Sequence, residues 1–199
     1  MALKDYNAKR KFHQTTEPEG KAKKNSKNKL IFVIQRHAAS SLHYDFRLEM
    51  DGVLKSWAIP KGPSLDPQDK RLAMMVEDHP YDYKDFEGTI AKGNYGAGQV
   101  EIWDSGTYEP LSEHNKLSAE KEMLQQLREG SLKFILKGKK LKGEFALVKM
   151  KNAENNAWLL IKHKDDSSQS PYDAEKHTDP DSLVTRYLKE KKSQKTKER

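Results

Sequence analysis

Around His43 the chain alternates apolar and polar residues, and the polar set carries groups suited to a cation and to a phosphate. Leu42, Tyr44, Phe46 and Leu48 interleave with His43, Asp45, Arg47 and Glu49, the period of a half-buried strand. Successive strand side chains point to opposite faces, so the four polar residues share one face at steps of about 7 Å. An imidazole and a carboxylate two residues apart suit a divalent cation, and a guanidinium fork suits phosphate oxygens. The pattern favours metal-assisted chemistry on a phosphate.

His37 and His79 extend the set of candidate ligands. His-x-Asp on one face plus a further His is how a β-scaffold builds a two-His, one-carboxylate site, which leaves positions open for water or substrate. Spacing alone leaves both His37 and His79 open as that further ligand, and a lone strand histidine is more often structural. Arg47 binds phosphate or forms a surface salt bridge with Glu49 or Glu77. Lys61 and Arg71 are second cations or solvated surface charges. Tyr83, four residues after His79, hydrogen-bonds a phosphate oxygen or simply packs.

Short strands must position these groups. Residues 30–35 (Leu-Ile-Phe-Val-Ile-Gln) read as a buried strand, and Asp51-Gly52 between residues 42–49 and 53–59 is a hairpin signal. Residues 71–79 form a further strand, placing Arg71, Ala73, Met75, Glu77 and His79 on one face. Short strands over 86–90 and 98–103 flank Gly93-Asn-Tyr-Gly96-Ala-Gly98, whose glycines are read as hairpin or bulge glycines. The Lys-Ser/Thr of a P-loop is missing there, and no helix follows. A helix is expected from Ser118 to Glu129, with Gly130 just past its end. Strands over 132–137, 143–150 and 157–163 and a helix over 181–192 complete a small β-barrel or sandwich.

Charged residues make up 34% of the 199 and hydrophobic ones only 35%, so the core is modest for the length. Cysteine is absent, which excludes disulfides, iron–sulfur clusters and thiolate zinc sites. The Lys-rich start has no apolar signal segment, and no run approaches 18 apolar residues, so a soluble, cytoplasmic protein without membrane contact is expected. Residues 1–30 carry a net charge of +6 and residues 186–199 of +5, which leaves −4 for residues 31–185. Basic ends on a mildly acidic body suit electrostatic approach to nucleic acid, or serve solubility alone. Three regions are expected: a mobile basic arm over 1–29, a barrel domain over 30–165, and a polar linker, helix and basic tail over 166–199.

Several ordered blocks resemble a known family. Residues 35–49, Gln35-Arg-His37-Ala-Ala-Ser-Ser-Leu-His43-Tyr-Asp45-Phe-Arg47-Leu-Glu49, are similar to the signature of the 3′-phosphoesterase domain of bacterial DNA ligase D. The likeness continues through residues 52–64, 76–88, 93–104 and 158–162. It implies a mainly β fold, a small closed β-barrel with a few short flanking helices. It also implies a Mn²⁺ enzyme that trims a terminal 3′ ribonucleoside and then removes the 3′-phosphate, on DNA or RNA–DNA primer ends. By the resemblance His37, His43 and Asp45 hold the metal, and Arg47 and His79 contact the scissile phosphate with help from Tyr83. Glu77 serves the monoesterase step.

Arg10, Glu17, Lys61 and Arg71 are taken as further substrate contacts. Two positions depart from the family's pattern. Arg36 stands where Lys is frequent, a minor change by charge. Arg10-Lys11-Phe12, followed by Glu17-Pro18, stands where Arg-Asp-Phe and Glu-Pro are usual, which leaves open whether Lys11 weakens the monoesterase step. Without fused ligase and polymerase domains the chain is expected to act as a stand-alone version beside a separate DNA ligase and polymerase. Two rival readings remain, an Fe(II) oxygenase on a β-barrel and a non-catalytic nucleic-acid-binding module.

Overall fold

A computed structural model describes residues 3–23, 29–112, 116–151 and 156–197. The strands are β1 (Leu30–Ala38), β2 (Leu42–Met50), β3 (Val53–Ile59), β4 (Lys70–Pro80), β5 (Gly88–Ile90), β6 (Gly98–Pro110), β7 (Ser131–Gly138), β8 (Lys142–Lys149) and β9 (Ala157–Lys162). They run in the order β1-β2-β3-β4-β9-β8-β7-β6, and β6 pairs back onto β1, closing an eight-stranded antiparallel barrel as expected. β5 adds to the β6 edge at Gly98–Val100, beyond the part of β6 that pairs with β7. Helices α1 (Lys4–Ala8), α2 (Lys116–Glu129) and α3 (Leu183–Lys197) flank it.

The expected hairpin forms between β2 and β3. Asp51 and Gly52 both take positive φ, 54° and 73°, the backbone of the two-residue turn whose twist matches its strands. Tyr44, Phe46, Leu48 and Met50 of β2 then join Leu30, Phe32 and Ile34 of β1 in the barrel interior, with Trp57, Phe134, Phe145 and Trp158 from other strands. Burying each such side chain stabilises the fold by roughly 1.5–3 kcal/mol. The opposite face of the β1–β2–β3 wall is also covered. A second cluster there joins Val33, Val53 and Leu54 to Leu3, Tyr6, Tyr83 and Phe86. The alternation therefore separates an apolar interior from an outer face that holds His37, Asp45 and Arg47.

Two irregularities decide what faces where. In the β3–β4 pair Leu54 opposes His79 and Ser56 opposes Val76, so two residues of β4 face one of β3. This bulge breaks the alternation. Ala73 and Met75 therefore pack on the interior cluster, whereas Val76, Glu77 and His79 line the outer site, correcting the single shared face expected for residues 71–79. On β6 a shift near Trp103, between the partners of Ile34 and Gln35, turns Trp103 inward while Val100 and Ile102 stay on the outer cluster.

The ends of the chain also differ from expectation. Residues 3–23, expected to be a mobile arm, dock on the outer face. Tyr6 is fully buried, Arg10 and Glu17 are buried, and the Tyr6 hydroxyl donates to the Pro18 carbonyl. An aromatic at position 6 and paired charges at 10 and 17 let this Lys-rich stretch pack. At the other end Tyr172 and Ala174 enter the interior cluster and Val184 is buried. α2 begins at Lys116, two residues before the expected start, and Gly130 ends it with φ 78°. α3 begins two residues later than expected and runs to Lys197. Among the described residues no helix is long and apolar enough to cross a membrane.

Candidate active site

The candidate metal-ligating group arises from the β1–β2 register. His37 lies directly opposite His43, and Gln35 opposite Asp45, so a histidine from each strand meets the carboxylate on one face. Nδ1 of His37 lies 3.4 Å from Asp45 Oδ2, and Nε2 of His43 lies 3.7 Å from Asp45 Oδ1. The three ligand atoms lie within 4.8 Å of one another.

Backbone carbonyls hold both rings. His37 Nε2 donates to the Gly96 carbonyl at 2.8 Å, and His43 Nδ1 donates to the Ser41 carbonyl at 3.1 Å. Each ring turns its other nitrogen toward Asp45, the placement a cation requires of imidazole ligands. Burial opposes the charge of Asp45. Arg47, the His37 hydrogen bond and nearby His43 outweigh it and hold the carboxyl well below the usual carboxylate range. An ionised carboxylate between two oriented imidazoles fits a divalent transition metal.

Arg47 is almost wholly buried and fixed on three sides. Nε donates to Gln35 at 2.7 Å, one terminal nitrogen to Ser56 at 2.8 Å and the other to Asp45 at 3.3 Å. Its guanidinium carbon lies 4.9 Å from the Tyr83 ring centre. This excludes the surface salt-bridge reading. Gln35 also donates to the carbonyls of Tyr83 and Phe86, so one side chain ties Arg47 to the 3₁₀ turn Tyr81–Asp85.

The docked N-terminal segment completes the cluster. Arg10 donates to Glu17 at 3.0 Å, Glu77 at 3.1 Å, the Tyr6 carbonyl at 3.2 Å and His79 Nε2 at 3.1 Å. His79 Nδ1 donates to the Glu77 carbonyl at 2.9 Å, so its Nε2 is the acceptor and the ring is neutral. Burial and the positive charges of Arg47 and Arg10 push the His79 pKa well below its ordinary value. The Tyr83 hydroxyl donates to Glu17 at 2.9 Å, and burial raises its pKa well above 10, so it stays a donor. Burial works against Glu77, but hydrogen bonds from its own backbone, Lys9 and Arg10 hold it ionised below the usual glutamate range.

One cavity of about 260 Å³ gathers Arg10, His37, His43, Asp45, Arg47, Glu77, His79 and Tyr83. Glu17 sits behind Arg10 and Tyr83. Two expected contacts lie elsewhere. Arg71 stands about 26 Å of strand from His79 and pairs with Asp69 at 2.7 Å, and Lys61 is exposed beyond the end of β3. Lys11 is exposed and does not line the cavity.

Several members escaped the residue pattern. Gln35 and Ser56 position Arg47, Tyr6 stacks under Arg10 at 3.7 Å, and Tyr95 and Gly96 of the glycine turn form a wall. A polar Gln35 ending an apolar strand was the one available signal. Arg36, expected to be a minor change by charge, has a geometric role as well. It faces the barrel end, where its fork takes both oxygens of Glu175 at 2.8 and 2.6 Å and reaches Glu101 at 3.1 Å, which a Lys cannot reproduce.

Comparison with known proteins places this architecture. A family model described as the DNA ligase D 3′-phosphoesterase domain matches residues 35–149. The chain is similar to a "Multifunctional non-homologous end joining protein LigD" of Pseudomonas aeruginosa, 49% identical over 84% of this chain and 19% of that protein. It is also similar to a protein of the same name from Mycolicibacterium smegmatis, 40% identical over 86% of this chain and 22% of that protein. A "Multifunctional non-homologous end joining DNA repair protein LigD" of Mycobacterium tuberculosis is 38% identical over 86% of this chain and 21% of its own length. The chain thus spans about a fifth of the length of the curated relatives it matches. With the match covering more than half of its residues, including every candidate metal ligand, the chain belongs to the DNA ligase D 3′-phosphoesterase domain family.

Proposed function

We propose that the protein is a Mn²⁺-dependent phosphoesterase that heals 3′ ends of nucleic acid. It removes a terminal 3′ ribonucleoside as a diesterase and then the 3′-phosphate as a monoesterase, leaving a 3′-OH for a DNA ligase. The observation that carries this reading is the adjacency, in one cavity, of a His37–His43–Asp45 ligand group and the guanidinium groups of Arg47 and Arg10. A divalent cation held by the three ligands would act as a Lewis acid on a phosphoryl oxygen and lower the pKa of water.

The chain's own groups account for the rest. Arg47 is locked before substrate arrives, so its charge opposes growing negative charge on the phosphoryl oxygens without reorganisation. Arg10 and Tyr83 line the same space, and Glu17 holds both, accepting from Arg10 Nε and from the Tyr83 hydroxyl. A phosphate entering beside Arg10 would offset the two positive charges that depress His79 and raise its proton affinity. With the Arg10 N–H turned from Nε2 to that phosphate, His79 would hold a proton there for the leaving oxygen. This assigns catalysis to Arg47, His79 and Tyr83, with Glu77 and Glu17 orienting Arg10. Lys61 and Arg71 are proposed to touch nucleic acid only away from the reacting phosphate.

The test is a primer–template ending in a single 3′ ribonucleotide, incubated with Mn²⁺ and with His43→Ala in parallel. Wild type is expected to shorten the primer to a 3′-phosphate and then a 3′-OH, and His43→Ala or added chelator to stop both. An intact primer with wild type and Mn²⁺ would sink the diesterase reading. The same primer treated with Fe(II) and an α-keto acid separates the oxygenase alternative.

A further inference from the structure

The metal cavity opens beside a second, larger one of about 560 Å³. Ala39 and Ile90 line both, so the two meet across the ends of β1 and β5. The glycine turn divides them, with Tyr95 and Gly96 on the metal side and Ala97 and Gly98 on the other. Gly98 sets this divide, because a Cβ there would lie 2.1 Å from the Ala38 carbonyl oxygen. A side chain at 98 would push β6 off β1 and close the passage.

The chemistry of the second cavity is one-sided. Among the described residues its charged lining groups are Lys92, from the turn after β5, and Lys191 of α3, with no carboxylate. Ser40 offers a hydroxyl, the Thr89–Gln99 cross-strand pair presents hydroxyl and amide groups, and Tyr187 adds an aromatic face one helical turn before Lys191. A cavity beside the first turn of α3 has a mixed lining instead, with Glu87, Glu101, Asp179 and Asp181 next to Lys140 and Arg186. The docking of α3 puts Tyr187 and Lys191 on the second cavity, which Lys92 also lines. Val184, buried, and its N–H bonded to Glu101 at 2.8 Å hold the helix in that orientation.

We propose that this groove carries the single strand leading to the 3′ end, with Lys92 and Lys191 on its phosphates and Tyr187 against a base. The inference deepens the phosphoesterase reading and rests on it. Cations along a channel with an aromatic platform are what sequence-tolerant single-strand binding needs. Continuity with the metal cavity supplies the direction, since the terminal phosphate enters one cavity while the preceding nucleotides occupy the other.

The experiment uses a series of single-stranded oligonucleotides of one to six nucleotides, each ending in a 3′-phosphate, with Mn²⁺. The proteins are wild type, a Lys92→Glu/Lys191→Glu double variant, and Lys133→Glu on β7, an exposed lysine outside both cavities. For wild type and Lys133→Glu, KM is expected to fall about tenfold or more as nucleotides are added. The double variant is expected to lose that gain while processing the mononucleotide at the wild-type rate. Its log–log salt dependence of oligonucleotide binding should be shallower by about 0.7 per lost contact.

Retention of the length dependence by the double variant overturns the proposal, as does an equal loss on the mononucleotide. Should wild type process none of these substrates, the phosphoesterase reading fails, and fluorescence anisotropy with the labelled six-mer still decides the groove. There the double variant must bind at least about tenfold more weakly than Lys133→Glu, and polyglutamate of matched charge must not compete as well as the oligonucleotide.

Discussion

The two ends of the chain look alike in sequence and do different work. Both are polar and Lys-rich, and both dock on the barrel through a buried arginine with two carboxylates. At the N-terminal end the arginine belongs to the segment. Arg10 is pinned by Glu17 and Glu77 but lines the cavity, with its remaining nitrogen on His79. At the C-terminal end the arginine belongs to the barrel. Arg36 of β1 holds Glu175 of the segment together with Glu101, and Thr185 takes a further bond at 3.0 Å. Both guanidiniums use all three nitrogens on protein partners, but Arg10 also lines the cavity with its partner His79, whereas Arg36 does not. Arg36 and His37 are neighbours on β1, so one strand anchors the C-terminal segment on one face and presents a candidate metal ligand on the other.

The difference predicts opposite outcomes for matched substitutions. The largest effect is expected for Arg10→Ala, which removes a charged donor from the cavity lining. Turnover of a 3′-phosphorylated primer should fall about 10²–10³-fold, with a smaller fall in melting temperature than for Arg36→Ala. Steady-state rates and thermal melts on the same preparations check both halves, and the comparison breaks if Arg10→Ala leaves turnover within a few-fold.

Arg36→Ala should reverse the pattern. Glu101 is left buried without its guanidinium, while Glu175 is half exposed and regains water. The loss is about 3 kcal/mol, a fall of about 6–12 °C in melting temperature for a domain of this size, with turnover below the melt changed little. Arg36→Lys should lie between, because an ammonium cannot take both Glu175 oxygens. A melt equal to wild type for Arg36→Lys would show that charge alone suffices.

Acid should separate the two ends more gently. Folding holds His79 neutral below its ordinary 6.5, so the unfolded chain takes up the proton first, and stability falls as pH drops below about 6.5. Burial opposes the charge of Glu175, but Arg36 and Tyr44 hold its pKa below 4.5, so its contribution persists above that pH and is lost only as pH falls through the lowered value. Limited proteolysis between pH 7 and 5 is therefore expected to expose residues near Arg10 before residues near Glu175. Cleavage in the reverse order would contradict this. The smallest effect is expected for Lys11→Asp, since Lys11 is exposed and outside the cavity. The ratio of monoesterase to diesterase rates should change by less than about threefold, and a larger gain would mean that Lys11 reaches the bound end.

Much of the barrel was legible in the sequence because its signals are local. The Asp51-Gly52 turn, the alternation of β2 and the C′ position of Gly130 depend on backbone conformation over a few residues, and each stands where expected. Half of the site was legible in the same way. The docked ends were not, because Tyr6, Arg10 and Glu175 declare themselves only when a distant partner is in place. Nor were the roles of Gln35 and Ser56, which follow from the orientation of Arg47.

By itself the sequence determined that His43, Asp45 and Arg47 share a face, since a strand repeats every two residues whatever surrounds it. The tertiary structure alone decided that His37 stands across from His43, that a bulge turns Glu77 and His79 outward while Ala73 and Met75 go inward, and that Arg10 closes the cavity. Register, bulges and docking are set by contacts between segments far apart in the chain, and no local period encodes them.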